Sequence, residues 1–302
     1  MGSIPVLREF SATDIARIRA LADEVETATG VAPFGDDAWT GMHAAHGRDR
    51  GLLTTSGDAY AHLAHHHDRE WSLELAVRPG TADARDELQR AALEVVAAEG
   101  GGRVTLWAHD GTADDDARAR AAGFGLEREL LQLRVALPLA DGPRWPDGTT
   151  ARAFVPGHDE AAWVVVNNRA FAGHPEQGAW TVDMLRAREQ EPWFDPDGFL
   201  LAFDADGLAG SCWTKVHPAQ PPHEPQPLGE IYVIGADPSR HGRGLGRALT
   251  TAGLAHLATR GITVGMLFVD AANEAAVGLY RALGFVTHRT DRAYGLDVGA
   301  SP

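Results

Sequence analysis

The feature that most constrains the fold of this chain is a glycine-rich loop at residues 241–246, between a strand pattern and a helix pattern. The apolar run Glu230–Ile234 precedes the loop and predicts a strand. The run Leu245–Thr259 follows it and predicts a helix that ends before Gly261, since glycine is common just past a helix C-terminus. A glycine loop that opens a helix exposes backbone N–H groups at the positive end of the helix dipole. The sequence therefore predicts an anion-binding turn here.

The order of the remaining patterns predicts two copies of one structural unit. After the loop come a strand pattern at Thr263–Asp270 and a helix pattern at Asn273–Leu283, which ends at Gly284-Phe285. The first half of the chain repeats this order, with strands at Leu73–Val77, Val104–His109 and Leu130–Leu137 and helices at Asp83–Ala98 and Asp114–Ala122. Strands that alternate with helices predict an α/β fold, in which each copy is a mixed, mostly antiparallel sheet flanked by helices.

The two copies differ in their polar residues. When they are aligned on their shared proline and Gly-Phe signals, Trp71 falls opposite Glu230 and Ala119 falls opposite Tyr280. The segment Thr81–Leu88, which aligns with the glycine loop, contains no glycine. We therefore predict that chemistry belongs to the second copy and that the first supplies scaffold or substrate contacts.

Two proline-rich segments predict the domain boundary and a long loop. The first lies at 138–150, and we predict an N-terminal domain over 1–140, a linker over 141–150 and a C-terminal domain over 151–302. This division suits a chain of 302 residues at about 150 residues per domain. The second, His217–Gly229, predicts an exposed hairpin loop, because proline cannot donate a hydrogen bond in a central strand.

Composition excludes several classes of protein. The formal net charge of −15 argues against a nucleic-acid or anionic-membrane partner. The single cysteine, Cys212, excludes an internal disulfide and a cysteine-rich metal cluster. No apolar run approaches the roughly 18 residues of a membrane span, and Met1–Phe10 lacks a signal pattern, so we expect a cytoplasmic protein. We also expect a monomer, although no sequence feature determines the oligomeric state.

A run of histidines does not predict a metal site. Three consecutive histidines cannot all face one side of a strand, and no carboxylate set completes a ligand sphere. We expect no metal and a polar hairpin tip, formed by His62, His65, His66 and His67.

Two motifs in the second copy resemble those of the GCN5-related N-acetyltransferases (GNAT). The phosphate loop of that family runs Arg/Gln-x-x-Gly-x-Gly/Ala, and here it is His241-x-x-Gly244-x-Gly246, with His at the first position. The later motif runs from Asn273 through Tyr280 to Gly284-Phe285. The two copies and the segments 31–33, 167–171, 174–178, 213–217 and 229–233 together resemble the mycothiol synthase family of tandem GNAT domains. Its members acetylate the cysteinyl amine of cysteinyl-glucosaminyl-inositol.

The resemblance implies acetyl-CoA as the acetyl donor, with its pyrophosphate on the glycine loop. The implied binding residues are Ile234, Gly235, Ala236, His241, Gly242, Arg243, Gly244, Leu245, Gly246, Arg247, Asn273, Glu274, Ala275, Ala276, Val277 and Gly278. In the first copy, Leu75, Ala76 and Val77 are implied to offer strand amides to a second acyl-CoA, although the missing glycines predict weak binding or none. Arg240, Arg243 and Arg247 are either the positive charge for the phosphates or a solvated helix start.

The resemblance also implies the catalytic groups. Glu230 would take a proton from the acceptor amine as general base, and Tyr280 would protonate the leaving thiolate as general acid. From spacing alone, a surface carboxylate is the favoured interpretation of Glu230 and a core tyrosine that of Tyr280, and the resemblance reverses both. Family members splay the strand at a bulge so that a backbone N–H binds the thioester oxygen, and Gly235 suits such a bulge. Attack on the thioester is direct, so Cys212 is expected to be a buried structural thiol.

The acceptor is implied to contact charged and aromatic residues at positions that match the family. These are Asp36, Glu176, Lys215, Glu230 and Phe268. Relatives often have tyrosine in the segment of Phe268, so this chain keeps the ring without the hydroxyl.

The sequence leaves two other functions open. One is acetylation of another amine, such as an aminoglycoside or a peptide N-terminus, and the other is a non-catalytic acyl-CoA sensor.

Overall fold

The computed structural model describes residues 4–43, 47–66, 69–172, 178–221 and 223–301. These contain twelve strands, which are β1 Val6–Leu7, β2 Arg50–Leu53, β3 Ala59–His65, β4 Glu70–Val77, β5 Gly102–Ala108, β6 Gly125–Ala136, β7 Thr150–Ala153, β8 Phe199–Asp204, β9 Gly207–His217, β10 Leu228–Ala236, β11 Val264–Asp270 and β12 Val286–Val298. They also contain eight α-helices, which are α1 Ala12–Thr29, α2 Asp36–His43, α3 Ala82–Ala98, α4 Ala113–Ala121, α5 Glu160–Ala170, α6 Val182–Arg188, α7 Leu245–Thr259 and α8 Glu274–Ala282. No helix in this part of the chain is long and apolar enough to cross a membrane.

The chain divides into two compact units. The N-terminal unit comprises Met1–Leu131, Asp270–Ala272 and Arg289–Pro302, and the C-terminal unit comprises Gln132–Val269 and Asn273–His288. Both units are discontinuous in sequence. The linker predicted at 141–150 stays a prediction.

The N-terminal unit is a mixed sheet covered on both faces. Strands β1 to β4 pair antiparallel in chain order, β5 joins β4 in parallel, and the Arg292–Val298 part of β12 pairs antiparallel with β5. Leu88 and Val96 of α3 belong to one buried cluster, while Ile18 of α1 and Met42 of α2 belong to another. Two separate clusters arise because strand side chains alternate between the faces.

The C-terminal unit contains the same kind of sheet. Strands β7, β8, β9 and β10 pair antiparallel in that order, and β11 joins β10 in parallel. Helix α7 lies close against one face because Gly253 lacks a side chain: a Cβ there would lie 2.5 Å from Cys212 Sγ. Cys212 is buried, as predicted, and burial raises the pKa of its thiol to about 12. Aromatic rings are packed in another cluster, with Phe199 stacked on Trp213 at 4.5 Å.

Most predicted elements are confirmed within one or two residues. Helix α7 has the predicted bounds, and Asn273 caps α8 by accepting a hydrogen bond from the Ala276 N–H at 3.2 Å. The proline-rich segment joins β9 to β10 as an antiparallel hairpin loop. The histidine prediction is wrong for His62, which is buried in β3 beside Tyr60 and Asp49. His67 lies outside the described residues.

Candidate active site

Strands β10 and β11 separate early, and this separation defines the candidate site. Their parallel register comprises Gly229 with Gly265 and Glu230 with Met266. Strand β10 then continues to Ala236 and β11 to Asp270 without further pairing to each other in the described structure. The edge of β10 that faces β11 is thus available to an extended ligand that carries amide groups.

The bulge predicted for β10 is present, but at a different residue. The register with β9 shifts between Ile231 and Val233, so the extra residue is Tyr232, and the prediction that Gly235 forms the bulge is wrong. Gly235 instead provides space for a neighbouring helix. A Cβ at this position would lie 3.1 Å from Ala170 and from Phe171 at the end of α5. The glycine allows the helix end to approach the strand.

The glycine loop has the backbone conformation that an anion-binding turn needs. Gly242 and Gly244 have φ of 76° and 84°, in the left-handed region that favours glycine. A Cβ at either position would meet nothing within 4 Å, so conformation rather than crowding requires the glycines. Gly244 is the N-cap of α7 and offers no side-chain cap, which leaves N–H groups of the first turn available to an anion. His241 Nε2 lies 3.2 Å from the Ala236 carbonyl oxygen.

The three arginines near the loop are not equivalent. The Arg240 guanidinium pairs with the Asp204 carboxylate through Nε at 3.0 Å and Nη2 at 3.3 Å. The side chains of Arg243 and Arg247 are exposed beside the loop. An anion at Gly244 would therefore draw its positive charge from Arg243 and Arg247 rather than from Arg240.

Helix α8 places Tyr280 on the same face of the sheet as α7. Leu279 Cδ2 lies 3.7 Å from the Cβ position of Gly246, and Tyr280 is near enough to Cys212 for an electrostatic interaction. The side chain of Tyr280 is buried, and burial raises its pKa well above the ordinary value. The hydroxyl is therefore protonated at neutral pH and available as a proton donor. Residues Asn273, Glu274, Ala275, Ala276, Val277 and Gly278 form the cap and first turns of α8.

The opposite face of the sheet presents a polar group of side chains. Glu230 pairs with Lys215 across β9 and β10, and His217 lies two residues further along β9. His217 Nε2 is 2.7 Å from Glu230 Oε2. Lys215 Nζ lies 4.9 Å from the ring centre of Trp193 and 5.5 Å from that of Tyr232. The Glu230 carboxylate, the His217 imidazole and the Lys215 amine thus lie together beside the rings of Trp193 and Tyr232.

The register between β10 and β11 places Phe268 on the same face of the sheet as this polar group. Tyr280 is on the other face. Met266 is paired with Glu230, and Phe268 is two residues further along β11, so both side chains face the Glu230 side. Cys212, near Tyr280, faces α7 on the other side. Glu230 and Tyr280 therefore lie on opposite faces of the sheet.

Some predicted residues lie elsewhere. Glu176 is outside the described residues. Asp36 begins α2 of the N-terminal unit, and its side chain is not described. Leu75, Ala76 and Val77 end β4, beyond the last β4–β5 pair.

The strands of the N-terminal unit also separate, but a buried ion pair bridges them. The β4–β5 register ends at Leu73 with Leu106. Immediately beyond, His109 Nε2 lies 2.8 Å from Glu74 Oε1, and His109 Nδ1 lies 3.3 Å from Asp291 Oδ2. Burial disfavours the imidazolium, yet the hydrogen bonds to Asp291 and Glu74 outweigh it and raise the pKa of His109 to about 9. A ligand between these strands would have to displace this pair.

Three residues of the polar face were missed by the sequence reasoning. They are His217, Trp193 and Tyr232. For His217 and Tyr232 the available signal was alternation, because they lie two residues after Lys215 and Glu230 and share a face with them, whereas no local pattern identifies Trp193. Among the described residues, no group of three histidine, cysteine or acidic side chains could hold a metal ion.

Comparison with known proteins assigns this geometry to one family of enzymes. Residues 163–285 match the model of the Acetyltransferase (GNAT) family. The chain is 45% identical to the mycothiol acetyltransferase of Thermomonospora curvata over 288 residues, which cover 93% of each chain. It is also 45% identical to that of Thermobispora bispora over 287 residues, which cover 93% of this chain and 95% of the relative.

Solved structures show the same fold. A GCN5-related N-acetyltransferase from Sphaerobacter thermophilus has a TM-score of 0.73 at 22% identity, over 99% of this chain and 98% of that chain. A tandem GNAT protein from the clavulanic acid biosynthesis pathway has a TM-score of 0.73 at 16% identity, over 99% of this chain and 100% of that chain. These likenesses concern fold alone, and they confirm the predicted α/β GNAT fold.

Proposed function

The chain belongs to the mycothiol acetyltransferase family of GCN5-related N-acetyltransferases, and from this we propose that it acetylates the cysteinyl amine of cysteinyl-glucosaminyl-inositol. The acetyl donor is acetyl-CoA, and the products are mycothiol and CoA. The observation that most supports the proposal is the separation of β10 from β11 directly after Glu230, with the glycine loop at the end of β10.

The donor binds in the C-terminal unit in this proposal. Its pyrophosphate accepts hydrogen bonds from N–H groups of the loop around Gly244, beside the exposed Arg243 and Arg247. Its pantetheine amides lie along the open edge of β10, next to Ile234, Gly235 and Ala236. The thioester then lies near the bulge at Tyr232, where the backbone departs from regular pairing.

The positions of Glu230 and Tyr280 on opposite faces of the sheet support the two catalytic roles that we propose for them. Glu230 takes a proton from the acceptor ammonium, and the neutral nitrogen attacks the thioester carbonyl. A backbone N–H between Val233 and Gly235 stabilises the oxyanion. Tyr280, on the other face, donates its proton to the departing CoA thiolate. Base and acid on opposite sides of the gap let the nucleophile enter and the leaving group depart without competing for one space.

Acceptor recognition uses the polar face around Glu230. The sugar and inositol hydroxyls need charged hydrogen-bond partners, and Lys215 supplies one beside the Trp193 and Tyr232 rings. Phe268 offers an apolar surface on the same face. Glu176 and Asp36 are also proposed to contact the acceptor, because they match positions that bind it in the family.

The N-terminal unit is proposed to be the degenerate copy. Its gap between β4 and β5 is crossed by the Glu74–His109 pair, and no glycine lies in Thr81–Leu88. Both features support weak or no acyl-CoA binding at Leu75–Val77.

The direct test is incubation with acetyl-CoA and cysteinyl-glucosaminyl-inositol, followed by mass measurement of the product. Glu230→Gln and Tyr280→Phe should each lower kcat by a factor on the order of 10²–10⁴, the usual range for general acid–base catalysis. Glu224→Gln is the control, because this carboxylate is on the β9–β10 loop and pairs with Arg134.

Two outcomes would contradict the proposal in different ways. If the acceptor stays unmodified while an aminoglycoside or a peptide N-terminus is acetylated rapidly, the acceptor is wrong and the enzyme class stands. If acetyl-CoA binds but no amine is acetylated, and Tyr280→Phe changes nothing, the protein is an acyl-CoA sensor.

A further inference from the structure

His217 is in direct contact with the candidate base. Its Nε2 atom lies 2.7 Å from Glu230 Oε2, at the end of β9. The Glu230 side chain is 10% exposed and the His217 side chain 30% exposed. The imidazole is thus the more exposed member of a hydrogen-bonded pair whose carboxylate is nearly covered.

Acetylation of an ammonium group releases two protons from nitrogen. An α-amino group has a pKa of about 7.7–8.0, so much of the acceptor arrives protonated at neutral pH. When the amide has formed, one of the two protons is on the CoA thiol, delivered through Tyr280. The other proton must reach solvent. Glu230 takes it first and has to be deprotonated again before the next turnover.

We propose that His217 passes this proton from Glu230 to solvent. In that step the Oε2–H bond of Glu230 breaks as a bond forms between the proton and His217 Nε2, and the proton on Nδ1 then leaves to water. The carboxylate is then ionised again and the neutral imidazole carries its proton on Nε2. Proton exchange with water restores the Nδ1–H form before the next turnover, so water is the only other reactant needed. In the described part of the chain, the charged groups placed beside His217 are Glu230 of β10, by direct contact, and Lys215, two residues away on the same face of β9. The inference rests on the proposed role of Glu230 as base, and His217 acts through it.

The role predicts a loss of rate that depends on pH. His217→Gln and His217→Ala should lower kcat at pH 7 by about tenfold or more, with KM for acetyl-CoA changed less than twofold. The deficit should shrink above about pH 8, where the amine arrives neutral and has one fewer proton to lose. Added imidazole should restore part of the rate of His217→Ala, because it can accept the proton in place of the side chain.

Glutamine distinguishes proton transfer from positioning. It can donate a hydrogen bond to the Glu230 carboxylate but cannot carry a proton onward. If His217→Gln has the rate of the unmodified enzyme at pH 7, or if the deficit is the same from pH 6.5 to 9.5, His217 only holds the carboxylate and the proposal fails. His158→Gln is the matched control, since that imidazole also contacts a carboxylate, Asp159 at 2.8 Å, but lies outside the site.

Parallel measurement of Glu230→Gln separates this inference from the proposed function. If Glu230→Gln retains the full rate, the base itself is wrong and the relay is wrong with it. If Glu230→Gln is slow and the His217 variants are as fast as the unmodified enzyme, the base stands and only the relay is overturned. Binding of acetyl-CoA by every variant, measured by calorimetry, verifies that the C-terminal unit is folded.

Discussion

The buried His109 should make the stability of the N-terminal unit depend on pH. His109 lies between Glu74 at 2.8 Å and Asp291 at 3.3 Å, with its side chain 16% exposed. Burial opposes its charge, but the hydrogen bonds to Asp291 and Glu74 prevail and raise the pKa from 6.5 to about 9. The folded protein therefore binds this proton more tightly than the unfolded chain does.

The sign and size of the effect follow from linkage. The stabilisation is complete below about pH 6.5, declines as the pH rises from 6.5 to 9, and is absent above about pH 9. At about 1.4 kcal/mol per pKa unit, the difference between 6.5 and about 9 corresponds to about 3 kcal/mol of unfolding free energy. His109→Gln should remove this contribution, because glutamine does not titrate in this range.

The assay is urea denaturation at pH 6.5, 8 and 9.5. Hydrogen–deuterium pulse labelling of peptides from β4 and β5 reports the N-terminal unit separately from the rest of the chain. The unmodified protein should lose stability over this range, while His109→Gln should be less stable at pH 6.5 and approach the unmodified protein at pH 9.5. If the two proteins differ by the same amount at all three pH values, His109 is not charged in the folded state and the reasoning is refuted.

Two further predictions concern the glycine loop. Gly244→Ala forces a side chain onto φ of 84° and should weaken acetyl-CoA binding measured by calorimetry, with a backbone cost of about 1–2 kcal/mol; unchanged affinity would contradict the loop assignment. Arg243→Ala should raise KM for acetyl-CoA several-fold, more at low salt, with an unchanged melting temperature. Arg240→Ala should instead lower the melting temperature because Asp204 loses its partner, and equal KM effects in both variants would refute this division.

The features that were predicted correctly from the sequence are helix ends and loop glycines, which depend on residues close together in the chain. Helix α7 begins at the glycine loop and ends before Gly261, and α8 begins at the Asn273 cap, so each bound depends on residues within one turn. The two glycines with positive φ are required by the conformation of the loop itself. Such features are set over a few residues, and a single sequence therefore contains enough information to place them.

Features that depend on strand register were harder to predict from the sequence. The bulge in β10 was expected at Gly235, and it is at Tyr232 because pairing with β9 determines its place. The contact between His217 and Glu230 also depends on register, across a proline-rich loop whose length does not fix the pairing. The same holds for Arg240, whose partner Asp204 is distant in sequence. In each case the partner comes from another strand, and no local pattern identifies it.

The gaps between parallel strands in the two units differ in what occupies them. In both units a parallel pair of strands separates after a short register, at Leu73 and at Glu230. Separated strands leave backbone groups without ladder partners, and such groups need another partner when they are buried. Beyond Leu73 a histidine and two carboxylates of the protein itself occupy this region, and their charges satisfy one another. Beyond Glu230 the described side chains lie on the two faces and leave the strand edge to a ligand. A gap filled by its own ion pair contributes stability, whereas an open strand edge can take an extended ligand. The same strand geometry therefore serves structure in one unit and, in the function that we propose, acetyl transfer in the other.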